Sequence, residues 1–187
     1  MIKITLPDGS VKEFAQGVTP MDVAKSISEG LARNVISASF NGTTVETTTE
    51  LTTDGALVLY TWNDKEGKKA FWHSTSHVMA QALQEMYPGV KLTIGPAIDN
   101  GFYYDVDFGD QRITDADFKA IEDRVLAISK EKHEFKMRSA TKAEALEFYA
   151  KENNPYKTEL IENLEDGTIT FCDHANFFDL CRGGHIP

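Results

Sequence analysis

Two pairs of side chains in this sequence have the types and spacing to do chemistry: His73-Ser-Thr-Ser-His77, and Cys181-Arg-Gly-Gly-His185 near the end of the chain. Three residues separate the members of each pair. On a helix, residues four apart share one face and are offset by about 40°. A Cys and three His have the number and type for tetrahedral zinc, with three ligands and a water in a catalytic variant. Zinc is not required, because a neutral His can orient and deprotonate water at an ester already held in place. A cation or N–H group then stabilises the oxyanion. Cys181 has a rival use as an acyl-accepting nucleophile activated by a neighbouring His, although nothing around it resembles a cysteine protease. The run Arg182-Gly183-Gly184 either lets backbone approach a ligand closely, since glycine lacks a Cβ, or forms a simple tight turn.

The histidine pair lies in a segment, Phe71 to Tyr87, with helical periodicity, stopped by Pro88-Gly89. With His73 at the origin, Val78, Met79, Ala82, Leu83 and Met86 fall between roughly 140° and 280° and form the core side. His77, Ala80 and Gln84 fall within about 40° of His73 on the opposite side. Neither histidine therefore belongs to the apolar stripe, and the pair is either solvated or lines a cleft. His133, in a Lys/Glu run, reads as surface. His174 follows Cys172-Asp173 and reads as a strand-end residue, with a Cys172/His174 ligand pair as the alternative.

Composition bounds the setting. The 187 residues are 41% hydrophobic, with 11 Phe, 6 Tyr and 2 Trp, as expected of a folded globular protein. No apolar run approaches membrane-spanning length, and Met1 to Leu6 alternates like a strand instead of reading as a signal peptide. A cytoplasmic protein with free thiols at Cys172 and Cys181 is the expectation. The net charge of −10 argues against a broad basic surface for nucleic acid. Local contacts are open to Lys65, Lys68, Lys69, Lys91, Lys157 and Arg182, most of which read as ordinary solvated charges.

The elements that must position these residues fall into two groups. In residues 1–61, Ile2 to Leu6, turn Pro7-Asp8-Gly9-Ser10 and Val11 to Phe14 predict a hairpin. Thr19-Pro20 opens a helix through Leu31, and Ile36 to Phe40, Thr43 to Val45 and Ala56 to Tyr60 predict further strands. Residues 62–69 are polar and read as a linker. In residues 70–187, strands are expected over Lys91 to Ile94, Phe102 to Val106, Phe135 to Arg138 and Thr168 to Cys172. Helices are expected from Thr114 to Lys132, after the Thr141/Glu144 capping box, and from Tyr156. Asp173 to Pro187 reads as irregular.

Along its whole length the chain resembles the N-terminal part of bacterial threonyl-tRNA synthetases. Ile4-Thr-Leu-Pro-Asp-Gly-Ser10 and Pro20-Met-Asp-Val-Ala24 resemble a TGS domain. His73-x-x-x-His77, Ile94-Gly-Pro-Ala-Ile-Asp-Asn-Gly-Phe-Tyr-Tyr-Asp105, Tyr156-Lys157 and Asp179-Leu-Cys-Arg-Gly-Gly-His185 resemble the family's editing domain. Gly184 departs from the proline common there. The resemblance implies an α+β architecture, with a small ubiquitin-like β-grasp domain followed by an α+β editing domain of mixed sheet and packed helices, truncated at its C-terminal end. It implies proofreading by hydrolysis of seryl-tRNA(Thr), because a missing methyl is worth only about 1–3 kcal/mol of discrimination in a binding pocket.

By matched position, His73 and Lys157 would position or activate the water. His77, Tyr104, Asp179, Cys181 and His185 would hold substrate or line the pocket. No metal is the first expectation, with zinc at His73, His77, Cys181 and His185 as the alternative, since alanyl-tRNA editing domains carry a similar zinc-binding quartet. Nothing in the chain resembles the aminoacylation core, where the parent enzymes use ATP, magnesium and zinc; no ligase activity is expected of this piece. The parents are expected to be homodimers acting on tRNA(Thr), and the fragment a monomer. Two other readings stand beside the deacylase: a non-catalytic tRNA-binding module, and a zinc-stabilised structural domain.

Overall fold

The computed structural model describes all residues, Met1–Pro187. Its contacts divide the chain into two compact units, Met1–Trp72 with Gly183–Pro187, and His73–Arg182. No helix is long and apolar enough to cross a membrane.

The first unit contains β1 (Ile2–Thr5), β2 (Val11–Phe14), α1 (Pro20–Ile27), α2 (Glu29–Asn34), β3 (Val35–Phe40), β4 (Thr43–Val45), β5 (Gly55–Thr61) and the start of α3 (Lys65–Met86). Its five strands form one mixed sheet in the order β2-β1-β5-β3-β4, with β1 and β5 parallel and the other neighbours antiparallel. Alternation in β1 sends Ile2 and Ile4 inward, where they meet Val23 from α1 with Ala38, Leu51 and Leu57. The Thr19-Pro20 signal is realised as a capping box: Thr19 Oγ1 accepts from Asp22 N, and the Asp22 carboxylate accepts from Thr19 N. In the last segment, the N–H groups of Gly184 and His185 donate to the Glu46 carboxylate at 2.8 and 3.1 Å. Burial raises the Glu46 pKa, against the lowering effect of those two amides.

Residues 65–69, read above as linker, are instead the first turns of α3. The polar run that suggests a linker is a turn that starts a helix. Asp64 accepts from Thr61 N at 2.7 Å and from Thr61 Oγ1 at 3.0 Å, and Lys68 N donates to Asp64 O. Gly67 fits because a Cβ there would come within 2.0 Å of the Thr61 carbonyl oxygen. Lys68, one of the proposed basic contacts, lies over the Trp62 ring at 5.9 Å. The division between the units falls inside α3, after Trp72.

The second unit adds β6 (Lys91–Leu92), β7 (Ala97–Ile98), β8 (Gly101–Phe102), β9 (Val106–Asp107), α4 (Asp115–Glu131), β10 (Phe135–Ser139), α5 (Lys142–Lys151), α6 (Pro155–Glu162), β11 (Thr170–His174) and β12 (Phe177–Leu180). All its strand pairings are antiparallel: β10-β11-β12, β6-β9 and β7-β8. The strand expected over Phe102 to Val106 is two short pieces separated at Tyr103–Asp105. The stretch expected to be irregular, from Asp173, contains the rest of β11 and all of β12. The alternation Phe177, Asp179 inward and Phe178, Leu180 partly covered is a strand pattern masked by the polar and glycine residues around it. The capping box at Thr141 and Glu144 is present and starts α5. Ala145 and Tyr149 of α5, Ile161 of α6, Ile169 and Phe171 form the main core of this unit.

Candidate functional site

Helix α3 is buried on both sides. Val78 and Leu83 pack on the expected core side, but Ser74, Ser76, His77, Ala80 and Gln81 are buried too. Ala80 joins Leu92 and Phe177 in a second cluster. The histidine-bearing face is thus a covered wall, which resolves the choice between a solvated pair and a cleft in favour of the cleft. Ser76 fixes one edge of it by donating to the Gly95 carbonyl at 3.0 Å. Gly95 must be glycine, because a Cβ would meet the Tyr104 ring at 2.1 Å. Backbone bonds Thr93 N to Asp105 O and Asp105 N to Ile94 O hold the two edges of that loop together beyond the short ladder β6-β9.

His73 and His77 stack edge to face with centroids 5.0 Å apart. Cys181 Sγ lies 3.5 Å from His73 Nε2. The donor atoms of His73, His77 and Cys181 lie within 4.8 Å of one another. Zinc bonds of about 2.0–2.3 Å to nitrogen and sulfur put tetrahedral ligands on the order of 3.5 Å apart, so these three residues could hold a metal with small adjustments. The remaining residue of the sequence quartet, His185, is fully buried within the segment Gly183–Pro187, which packs with the first unit.

Opposite the imidazoles stands an ion pair that the sequence does not announce. Lys157 Nζ lies 2.6 Å from Asp179 Oδ1, and their side chains are 3% and 5% exposed. Lys157 is therefore no solvated surface charge. Asn154, the N-cap of α6, places it: its side chain accepts from Lys157 N and donates to Leu92 O. Tyr104 Oη donates to Asp179 Oδ2 at 2.5 Å, Tyr149 Oη to Oδ1 at 3.3 Å, and Leu180 N to Oδ1 at 2.8 Å. Burial and the neighbouring Asp179 charge hold both tyrosines well above the ordinary phenol range, so each stays a donor. Tyr149 and Asn154 are the positions that motif reading missed. The signal for Tyr149 was available in its spacing of four from Ala145 on α5.

One cavity of about 460 Å³, built within the second unit, is lined by His73, His77, Tyr104, Lys157, Asp179 and Cys181, with Gly95 and Arg182 also in its wall. Six of the seven site residues expected from sequence are brought together there. His133 is exposed beside Glu131, as expected. His174 ends β11, is buried, donates from Nδ1 to Gln81 Oε1 at 2.7 Å, and stacks on Phe135. Its neighbours give it a packing role and not a ligand partner in Cys172.

Burial first, then the nearby His73, Lys157 and His174, hold the His77 pKa well below the ordinary imidazole value of 6.5. The consequence for stability has a definite sign. Below pH 6.5 the unfolded chain protonates this imidazole while the folded chain resists, so the unfolded state binds more protons. Stability then falls with decreasing pH by up to about 1.4 kcal/mol per pH unit until the folded value is reached. His77→Gln should flatten that slope between urea unfolding curves at pH 7.5 and pH 5.5. An unchanged slope would remove His77 as its source.

With the geometry in place, the likenesses to known proteins acquire meaning. Residues 2–61, which hold the five-stranded mixed sheet with α1 and α2, match the TGS domain model. Over all 187 residues the chain is 81% identical to a threonine–tRNA ligase of Flavobacterium psychrophilum and 79% identical to one of Flavobacterium johnsoniae. It is 51% identical to that of Cytophaga hutchinsonii. The chain spans 28–29% of the length of these relatives.

Proposed function

We propose that the cavity hydrolyses the ester of a mischarged tRNA, releasing serine from seryl-tRNA(Thr), as part of a threonine–tRNA ligase. The observation that carries this reading is the convergence of two imidazoles, a thiol and a buried ammonium–carboxylate pair on one accessible cavity. The likeness to threonine–tRNA ligases along the full chain supports it, and the same proposal takes tRNA as the partner and the cytoplasm as the location. The parent enzyme's dimer and its use of ATP, magnesium and zinc belong to the same proposal.

In this reading His73 orients the attacking water and takes its proton as the water oxygen bonds to the ester carbonyl carbon. The Lys157 ammonium, held at a fixed place by Asp179, stabilises the developing oxyanion. The carbon–oxygen bond to the ribose then breaks. The proton held by His73 passes to the leaving ribose oxygen, and serine departs as its acid, ionising in water. Neutral His77, with Tyr104 and Cys181, shapes the cavity and holds substrate. Serine fits where threonine's extra methyl does not, which completes the discrimination a synthetic pocket cannot reach alone, roughly 10–200-fold per methyl.

The test is serine release by the full 187-residue chain from seryl-tRNA(Thr), compared with threonyl-tRNA(Thr). Acceleration of the first well beyond the second is expected. No acceleration of either, with salt-sensitive tRNA binding retained, would replace the reading with a non-catalytic RNA-binding module.

A second reading, zinc, is favoured by one observation, the 3.5 Å approach of Cys181 Sγ to His73 Nε2 with His77 close by. His73, His77 and Cys181 would hold the ion, with a water in the fourth position. Bound there, zinc supplies Lewis acidity or folding energy. Metal content and melting with and without chelator decide it. The metal-free reading expects substoichiometric zinc and an unmoved Tm, whereas one zinc per chain and a chelator-lowered Tm would overturn it.

A further inference from the structure

The Lys157 side of the cavity is fixed by a residue that does not itself reach the cavity. Asn154 is buried, and its backbone N–H donates to the Tyr149 carbonyl of α5 at 3.0 Å. Its side chain spans two further elements: Nδ2 donates to the Leu92 carbonyl of β6 at 2.9 Å, and Oδ1 accepts from Lys157 N at 3.1 Å. A carbonyl on one side and an N–H on the other leave one orientation for the amide. Pro155 follows, holding Asn154 in extended backbone at φ −107° and ψ 90°. The capped N–H belongs to Lys157 itself, so this bond acts on the residue that carries the ammonium. Leu92, at the other end of the amide, leads directly into Thr93, Ile94, Gly95 and Pro96, which line the cavity. Asn154 lines instead a smaller cavity of about 70 Å³, which shares only Lys157 and Asp179 with the larger one. A substrate in the larger cavity therefore meets Lys157 and not Asn154.

We propose that Asn154 is a positioning residue for ester hydrolysis: its amide sets where the Lys157 ammonium stands relative to the Thr93–Pro96 wall. The inference rests on the hydrolytic reading above and adds the residue that keeps its cation in place. Asp179 alone does not fix that place. An ammonium is a point charge on a flexible four-carbon stem, and the same ion pair can be made from a shifted backbone. Asn154 removes that freedom at the root of the stem. A capping bond by itself would anchor Lys157 only to its own helix, whereas the bond to Leu92 refers it to the cavity wall. Stabilising an oxyanion requires a donor already aimed at the point where charge develops. A misplacement of about 1 Å there can cost on the order of 10²-fold in rate.

The test separates capping from bridging with Asn154→Ser and Asn154→Ala, measured beside wild type on seryl-tRNA(Thr). Serine caps a helix as well as asparagine does but is too short to reach Leu92 O, and alanine loses both bonds. Both variants should lower kcat roughly 10–100-fold, with KM within about twofold of wild type. Asn154→Ser should melt closer to wild type than Asn154→Ala. Wild-type kcat in Asn154→Ser would make Asn154 a cap and nothing more, and would overturn the proposal. A loss of kcat/KM carried by KM would overturn it as well. The place of the ammonium is read without turnover from the nitrogen–proton correlations of the lysine Nζ groups, the Lys157 signal being identified by its absence in Lys157→Met. In wild type that signal should exchange slowly with solvent; in Asn154→Ser it should shift and exchange faster. An unchanged Lys157 signal in Asn154→Ser would sink the proposal whatever the rates. Should the wild type release no serine, the hydrolytic reading fails, while the same spectra still decide whether Asn154 places the ammonium.

Discussion

Replacing His73 with alanine is expected to lower kcat for serine release from seryl-tRNA(Thr) by roughly 10²–10⁴-fold, the usual contribution of a positioned proton acceptor. KM should change little, because in the proposed mechanism His73 acts on the attacking water and not on the bound ester's contacts. The fold should survive. His73 is only half-buried, and its neighbours Ser74 and Ser76 keep the helix anchored through Ser76 to Gly95. Rates measured by release of labelled serine, with melting curves run alongside, separate the two effects. A variant within about twofold of wild type would remove His73 from the proton-transfer step, since that is well below any general-base contribution. A large loss of Tm with the loss of rate would make His73 a structural residue instead.

Sequence showed the reactive residues better than the frame that holds them. The histidine pair and Cys181 are legible because their identities and spacings are themselves the signal, whereas Tyr104 and Asp179 are legible only as matched positions. The β1-β2 hairpin and the capping boxes at Thr19 and Thr141 are equally legible, because each is a local hydrogen-bond pattern that needs no tertiary partner. What failed to show was non-local. The polarity of residues 65–69 hides a helix start that depends on Asp64 reaching back to Thr61. The apparent irregularity after Asp173 hides β12, whose ladder comes from β11. Helical projection assigned α3 one buried face and left the histidine side open, because periodicity counts apolar residues and cannot see that Ser74, Ser76 and Gln81 are buried as satisfied polar groups. Lys157 was likewise legible only as a matched position. Its burial against Asp179 follows from Asn154 capping α6, a tertiary consequence with no signature in composition.

That burial makes Lys157→Met the substitution with the largest expected effect on stability. Two charges taken out of water are each expensive, and their attraction offsets the cost only while both are present. Removing the ammonium leaves the Asp179 carboxylate inside the second unit with the hydroxyls of Tyr104 and Tyr149 and the amide of Leu180 as its remaining donors. Breaking a buried pair on one side typically costs about 3–5 kcal/mol; the three surviving donors place this case toward about 3. At about 2–4 °C per kcal/mol for a chain of this size, Tm should fall by roughly 6–12 °C. Adding Asp179→Asn to Lys157→Met removes the stranded charge while keeping an acceptor for the tyrosines, so the double variant should regain more than half of the lost stability. Serine release should remain abolished in both, because the cation proposed to stabilise the oxyanion is gone. If Lys157→Met melted within about 2 °C of wild type, equivalent to less than about 1 kcal/mol, the carboxylate would be relieved by solvent, and the pair would lose its standing as the fixed electrostatic element of the cavity.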